Sequence, residues 1–356
     1  MIPENPALST AAPLQLKHRD ERRIPCQTPL AMAEVETAVR APGLVPLFIQ
    51  PRQGQLSRHA EFMAWFVRHK TTIDDLVVQY GAAVFRGFPL AKTSDFDEIT
   101  GLYHAYKNGY MGGSTPRGKL GERALQSTTL DARFTIPIHS EMAYMRDYPP
   151  KLAFFSRLTA SDGGATTICD MRRVTRKLPP SVVEKISRLG VRTVRHYGPC
   201  RDDNTIVTED PNSVPWNRAF PAGARKEDVS ALCEELGLTP LWLDDGSLTV
   251  ISVVPGFNIH PATGERIFRT NIHSTGLTSA PQRTDTSSSR YSHTHSLGDG
   301  SHLAEEEIQA IRAIIDEETI SWQWKDGDLL LVDNLLVGHG REPYCGDREQ
   351  QVAMFC

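Results

Sequence analysis

The 356-residue chain has the composition of a globular protein, with 40% hydrophobic, 23% charged and 8% aromatic residues. Its 39 basic and 43 acidic side chains leave a net charge of −4, and no block of like charge suggests a nucleic-acid or membrane-surface partner. No apolar run approaches the roughly 18 residues of a membrane span, and the six cysteines form no C-x-x-C pair. The sequence therefore predicts a cytoplasmic protein with a small-molecule partner and no membrane or nucleic-acid partner.

The hydrophobic pattern changes from helical to extended along the first half of the chain. Residues 1–40 are rich in Pro, Ala and charge, which predicts a loosely ordered N-terminal arm before a single domain at 41–356. Apolar residues at helical spacing predict helix between Arg58 and Tyr80, and the apolar run from Ala82 to Phe88 predicts a strand. From Thr135 to Asp170 the pattern is typical of successive short strands.

The second half continues with short elements and one long polar segment. Residues 180–190, 226–237 and 303–318 are predicted to contain helices, and the apolar runs between and after them predict further strands. The segment 275–301 is crowded with Ser, Thr, Gly and Asp, so we expect a mobile loop that serves as a lid, with solvated histidines at 293 and 295. Short strands, peripheral helices and no alternating βα rhythm predict a mainly β fold, a jelly roll with helical insertions.

A histidine and a carboxylate two residues apart on a strand project to the same side, which supplies two of the three ligands of a mononuclear iron site. Three pairs fit this spacing: His18/Asp20, His59/Glu61 and His139/Glu141. The first lies in the polar arm and the second at the start of a predicted helix, where residues two apart diverge. Only His139 and Glu141 fall in a predicted strand, although an isolated pair of this kind is as often a hydrogen-bonded structural histidine.

A third ligand has to come from a distant segment. The strand DLLLVDN is followed by His339 between Gly338 and Gly340, small residues that allow a ligand to approach the backbone. A lone histidine there is more often structural. Its pairing with the His-Ser-Glu segment two hundred residues upstream favours a metal site.

The motifs IPIHSEMAY, DGGATTICD and GDLLLVDNLLVGHGREPYCGDR resemble the taurine dioxygenase and clavaminate synthase-like (TauD/TfdA) family of Fe(II)- and 2-oxoglutarate-dependent oxygenases. The resemblance runs in order from about Gly81 to the C-terminus, and two further segments, GGSTPR and HPATGE, are similar to the antibiotic-biosynthesis branch. It implies a double-stranded β-helix in which His139, Glu141 and His339 bind the iron. It also implies that Thr166 hydrogen-bonds the carboxylate of 2-oxoglutarate.

One element departs from the family pattern. The family places the arginine for the far carboxylate of 2-oxoglutarate 13 to 15 residues after the distal histidine, where this chain has Val352, Ala353 and Met354. Arg348 is the best remaining candidate and Arg341 the second, since a guanidinium binds a buried carboxylate in a bidentate fork. Arg341 is equally well explained as a partner of a neighbouring acidic residue.

The resemblance implies that Fe(II), 2-oxoglutarate and O2 are used to hydroxylate an unactivated C–H bond. The same oxidising chemistry also gives desaturation or cyclisation, so both stay open. The antibiotic branch favours an amino acid or its derivative, free or tethered to a carrier protein. Arg117 and Asn271 are candidate substrate contacts, although a surface arginine and a hydrogen-bonded polar residue at a strand end explain them equally well.

Two other function classes fit part of the pattern. Two histidines and a glutamate also bind hydrolytic zinc, but zinc enzymes commonly place such paired ligands on a helix. A jelly roll that only binds a ligand would not depend on His139.

Overall fold

A computed structural model describes residues 24–25, 33–39, 45–110, 117–128, 130–200, 214–274 and 293–356. The helices within these residues are α1 (His59–Tyr80), α2 (Thr93–Gly101), α3 (Met171–Lys177), α4 (Pro180–Leu189), α5 (Trp216–Ala219), α6 (Lys226–Glu235) and α7 (Glu305–Glu318). The first ten strands are β1 (Ile24–Pro25), β2 (Val35–Val39), β3 (Leu47–Pro51), β4 (Ala82–Phe85), β5 (Leu125–Gln126), β6 (Ile136–His139), β7 (Lys151–Leu158), β8 (Asp162–Gly163), β9 (Thr166–Asp170) and β10 (Val191–Tyr197). The remaining strands are β11 (Thr239–Trp242), β12 (Leu248–Val254), β13 (Phe257–Ile259), β14 (Arg266–Phe268), β15 (His293–Leu297), β16 (Thr319–Trp322), β17 (Leu329–Asp333), β18 (Val337–Arg341), β19 (Tyr344–Cys345) and β20 (Glu349–Phe355).

A large sheet and a small sheet enclose the main core. The large sheet has the strand order β1-β2-β3-β4-β17-β7-β20-β5, and the small one has the order β16-β9-β18-β6. A further four-stranded sheet, β11-β12-β10-β15, contributes Val191 and Leu297 to the same core. Facing sheets with most pairs antiparallel form a jelly roll. The double-stranded β-helix predicted from the sequence is confirmed.

The centre of the large sheet is buried on both faces, because β4 and the first four residues of β17 are apolar at every position. In β17, Leu330 and Val332 point into the core between the sheets, while Leu329 and Leu331 point to the opposite face. Residues one apart project to opposite sides of a strand, so one apolar run fills two cores. Helix α1 covers the second core, which lies on the face of the large sheet opposite the main core. It is one continuous helix, as the helical spacing between Arg58 and Tyr80 predicts.

The N-terminal arm predicted over 1–40 is wrong for its last part. Strand β2 pairs with β3, which in turn runs parallel to β4, so Val35–Val39 belongs to the large sheet. Val35 and Val39 are both buried there. Short strands of this kind are stabilised by distant partners, which local composition does not show. Residues 1–23 lie outside the described residues.

The mobile loop predicted over 275–301 is wrong at its C-terminal end. Strand β15 pairs antiparallel with β10, and His295 is only 7% exposed. The prediction of solvated histidines at 293 and 295 therefore fails, because an extended partner strand orders a segment whose composition is typical of a loop. Residues 275–292, which make up most of the predicted lid, lie outside the described residues.

Candidate metal centre and cosubstrate site

The three residues predicted as iron ligands converge. His139 ends β6 directly opposite His339 on β18, and their ring centroids are 4.3 Å apart. Glu141 follows two residues later, with its Oε2 3.8 Å from Nε2 of His339. One ligand atom from each residue lies within 4.8 Å of the other two, and no other such group of three or more occurs among the described residues.

Glu141 is not on the strand that was predicted to carry it. Strand β6 ends at His139, and Glu141 lies in the turn that follows. Its neighbour Met142 has a φ of 52°, a left-handed backbone conformation that residues other than glycine rarely adopt. The same-side projection expected for an extended pair is thus replaced by a turn that aims the carboxylate back toward the two imidazoles.

The donor set fits Fe(II). Nδ1 of His139 donates a hydrogen bond to the carbonyl of Pro137 at 3.0 Å, which leaves Nε2 as the ring nitrogen available to a metal. Burial lowers the pKa of His339 well below its usual value, and the neighbouring charges of His139 and Arg117 act in the same direction. His339 is therefore neutral, the form in which imidazole binds metals. Two imidazoles and one carboxylate are the ligands of non-haem Fe(II) oxygenases.

Two asparagine side chains hold the turn that carries Glu141. Asn334 is fully buried; its amide oxygen accepts the N–H of Glu141 at 2.9 Å, and its amide nitrogen donates to the carbonyls of Glu141 and Pro149 at 3.0 and 2.8 Å. Asn271 accepts the N–H of Ser140 at 3.0 Å and donates to the Ser140 carbonyl at 3.3 Å. Both of these contacts of the Asn271 amide are to the backbone of Ser140, and the substrate contact predicted for this residue stays a prediction.

The same turn receives a third support from a buried cation. Arg269 is 1% exposed, stacks on Tyr148 at 3.3 Å and donates to the carbonyl of Glu141 at 2.9 Å. Sequence reasoning missed the roles of Arg269 and Asn334, since Arg269 lies in none of the quoted motifs and Asn334 lies in the third motif without an assigned role. Only their position in space shows what they bind.

The HPATGE segment contributes to the fold next to the site. His260 donates from Nε2 to Oδ2 of Asp333 at 3.0 Å, and the other carboxylate oxygen accepts the N–H groups of Leu335 and Leu336. His260 and Asp333 are both buried. This pair fixes the end of β17 directly before Asn334, so the segment acts as a structural anchor.

Arg348 and Arg341 have different environments. Arg341 donates to three backbone carbonyls, those of Leu130, Asp131 and Phe134, at 2.6 to 2.9 Å. Arg348 makes one long hydrogen bond, from Nε to the carbonyl of Gly164 at 3.3 Å, and no ion pair among the described residues includes it. Burial, followed by the charge of Arg341, lowers the pKa of Arg348 to about 10. Arg348 is thus the guanidinium with donors to spare.

Thr166 lies at the start of β9, two residues after Gly164. Its hydroxyl accepts a hydrogen bond from the indole N–H of Trp324 at 2.8 Å, and in register it pairs with Arg341 on β18. Thr166 and Trp324 are both buried. A cosubstrate bound beside this strand would meet Thr166 and Arg348 on neighbouring segments.

Arg117 is buried beside the metal ligands rather than exposed on a surface loop. Its Nη2 donates to Oε2 of Glu141 at 2.8 Å, and its guanidinium stacks on Tyr110 at 4.0 Å. The side chain is 8% exposed, and Nε and Nη1 have no hydrogen-bond partner among the described residues. Those two donors remain for a group that enters the site.

The family model described as taurine catabolism dioxygenase TauD, TfdA family matches residues 52–354. The chain belongs to this family. It is an enzyme, an Fe(II)- and 2-oxoglutarate-dependent dioxygenase, and the resemblance found in the sequence is confirmed. No helix in the described ranges is long and apolar enough to cross a membrane.

Two curated relatives and one solved structure cover most of the chain. The dapdiamide synthesis protein DdaC of Enterobacter agglomerans is 28% identical over 292 residues, which is 80% of this chain and 84% of that protein. A clavaminate synthase-like protein of Arabidopsis thaliana is 26% identical over 339 residues, 93% of each chain. The crystal structure of PvcB from Pseudomonas aeruginosa covers 93% of this chain and 94% of its own, with a TM-score of 0.52 and 15% identity, which shows a shared fold.

Proposed function

We propose that this dioxygenase hydroxylates an unactivated C–H bond of an amino acid or an amino-acid-derived intermediate, with His139, Glu141 and His339 as the iron ligands. The observation that carries the ligand assignment is their convergence within 4.8 Å from two paired strands and the turn between β6 and β7. The similarity to a dapdiamide synthesis protein supports a biosynthetic role. The substrate is a free acid or a carrier-tethered intermediate, and desaturation or cyclisation remains the alternative outcome of the same chemistry.

Each group of the site has a separate task in this proposal. Bound Fe(II) supplies the activation of O2, with oxidative decarboxylation of 2-oxoglutarate to succinate and CO2 coupled to hydroxylation of the substrate. Thr166 hydrogen-bonds a carboxylate of 2-oxoglutarate and Arg348 binds its far carboxylate, since a guanidinium forms a bidentate fork with a carboxylate. Arg117 orients the substrate with the two donors that lack partners among the described residues. Asn334 and Asn271 keep the Glu141 turn in place.

Apolar side chains border the site and exclude water from it. Phe154 packs against His339 with ring centroids 5.0 Å apart, and the apolar core between the two sheets lies directly behind it. An apolar wall next to the ligands excludes water and strengthens polar interactions inside the site. The protein thus provides geometry and a dry boundary, while the metal supplies the redox chemistry.

The test is succinate release from 2-oxoglutarate with Fe(II), in the presence of a panel of L-amino acids and their derivatives. We expect one compound to stimulate succinate release and to gain 16 Da by mass spectrometry, and His339→Ala to abolish both. Loss of 2 Da instead would assign desaturation or cyclisation. Stoichiometric zinc after anaerobic purification, with hydrolysis and no 2-oxoglutarate turnover, would overturn the proposal.

A further inference from the structure

Strand β10 carries polar side chains on its buried face. Every second residue of Val191–Tyr197 is buried, and the row runs from Val191 through Thr193 and Arg195 to Tyr197. The inner face of a sheet that only builds a core is apolar. The buried face of β10 carries threonine, arginine and tyrosine after its first valine, which is typical of a strand that lines a polar cavity.

The neighbouring strand β15 extends this polar face. His295 pairs in register with Thr193, and His293 pairs with Arg195. Residues opposite each other on neighbouring strands project to the same side of the sheet. Nδ1 of His295 lies 3.0 Å from the hydroxyl of Thr193, while its Nε2 is buried without a hydrogen-bond partner among the described residues.

This polar face lies next to the candidate metal centre. The guanidinium of Arg195 stacks on Tyr144 at 3.7 Å, and Tyr144 is three residues after Glu141 in the chain. Burial raises the pKa of Tyr110, and the charges of Arg117, Glu141 and Arg195 all act on the same hydroxyl. These contacts place Arg195 and the carboxylate of Glu141 around one shared group of tyrosines.

Arg195 differs from the other buried arginines in its partners. Arg86 is paired with Asp328 and Arg117 with Glu141, while Arg269 and Arg341 donate to backbone carbonyls. Arg195 is 5% exposed and lies 3.7 Å from the ring centroid of Tyr144 and 5.7 Å from that of Tyr197, but no ion pair among the described residues includes it. A buried charge without a counter-ion is unfavourable, so such groups are normally paired. A carboxylate from a ligand would complete this environment.

We propose that Arg195 binds a free carboxylate of the substrate, so that the enzyme acts on an acid and not on the corresponding amide or thioester. This inference rests on the proposed function and narrows its substrate class. Arg117 and Glu141 neutralise each other and Arg269 donates to the Glu141 carbonyl, so Arg195 is the charge that we assign to a monoanionic group. A guanidinium that lies over an aromatic ring, as Arg195 does over Tyr144, leaves the N–H groups at its edge for a carboxylate. A carrier-tethered thioester of the same carboxylate would lose this contact.

The test compares each L-amino acid of the panel, free and N-acetylated, with its carboxamide. Binding is measured by anaerobic calorimetry on the full chain loaded with Fe(II) and 2-oxoglutarate. We expect at least one acid to bind the wild type about 100-fold more tightly than its amide, because truncation of a buried charged pair has an effect of this size. Arg195→Gln should remove the preference, and Arg195→Lys should keep only part of it. Arg192→Gln, on the opposite face of β10, should retain it in full.

Two outcomes would overturn the inference: no acid of the panel preferred over its amide by the wild type, or a preference that persists in Arg195→Gln. The Fe(II)–2-oxoglutarate charge-transfer absorption is recorded on the same samples. Its presence in Arg195→Gln shows that the variant is folded and loaded. Its absence in the wild type would be a failure of the proposed function, whereas its presence without an acid preference would be a failure of the Arg195 assignment alone.

Discussion

Asn334 provides a test of whether the turn around Glu141 positions the metal ligand. Asn334→Ala removes three hydrogen bonds and leaves the N–H of Glu141 and the carbonyls of Glu141 and Pro149 without that partner. The Glu141 carbonyl keeps its hydrogen bond from Arg269, so two groups are left unsatisfied. Each unsatisfied buried group costs about 1–3 kcal/mol, so we expect the free energy of unfolding to fall by about 2–6 kcal/mol. Loss of an outer-shell partner of a metal ligand lowers metal affinity by about 10–100-fold.

The assay is anaerobic competition for Fe(II) between the protein and a chelator, together with denaturant unfolding of the metal-free chain. Asn334→Asp separates hydrogen bonding from volume, since it keeps the shape but replaces the two N–H donors with an acceptor that faces two carbonyls. We expect it to lose Fe(II) affinity as well. Asn108, whose amide contacts Asp147 on the surface, provides the matched control, and Asn108→Ala should change affinity less than twofold. Wild-type Fe(II) affinity in both Asn334 variants would refute the positioning role.

The other expectations concern the cosubstrate arginine and one buried histidine. Arg348→Gln should raise the KM for 2-oxoglutarate by about 100-fold in succinate assays. Arg341→Gln should chiefly lower the free energy of unfolding, because it leaves three backbone carbonyls without their donor. Equal effects of the two variants on this KM would contradict the assignment of Arg348. Burial lowers the pKa of His273 from its usual value of 6.5 to about 4 in the folded chain. Between these pH values the unfolded chain binds a proton at this histidine and the folded chain does not. The free energy of unfolding therefore falls as the pH falls from 6.5 toward 4. His273→Gln should remove about 2 kcal/mol of the difference in unfolding free energy between pH 7.5 and pH 5, and an unchanged difference would contradict this origin.

The sequence was sufficient to find the three converging residues that we propose as iron ligands, because such ligands leave a local signature. His139 and Glu141 share a spacing, and His339 lies between two glycines after an apolar strand. The sequence context also placed the His59/Glu61 pair on a helix, and His59 is the first residue of α1. The position of Glu141 beyond the end of β6 was not predictable, because it depends on asparagine side chains more than 100 residues away.

The polar face of β10 and β15 was missed for a related reason. Strand β15 is rich in serine, threonine and histidine, so its composition is typical of a loop, yet it pairs with β10. A polar strand is stable here because its inner face meets Arg195 and Thr193 instead of an apolar core. Local propensity assumes a half-apolar environment, and it fails where the sheet borders a polar site.

The most direct test of the assigned ligands is the stoichiometry of Fe(II) binding, measured by anaerobic optical titration in the presence of 2-oxoglutarate. One Fe(II) per chain is expected for the wild type and for His59→Ala, which removes the histidine of the His59/Glu61 pair on α1. The variants His139→Ala, Glu141→Ala and His339→Ala should each lose the signal. Full stoichiometric binding in any of these three variants would contradict the assignment of the metal to this triad.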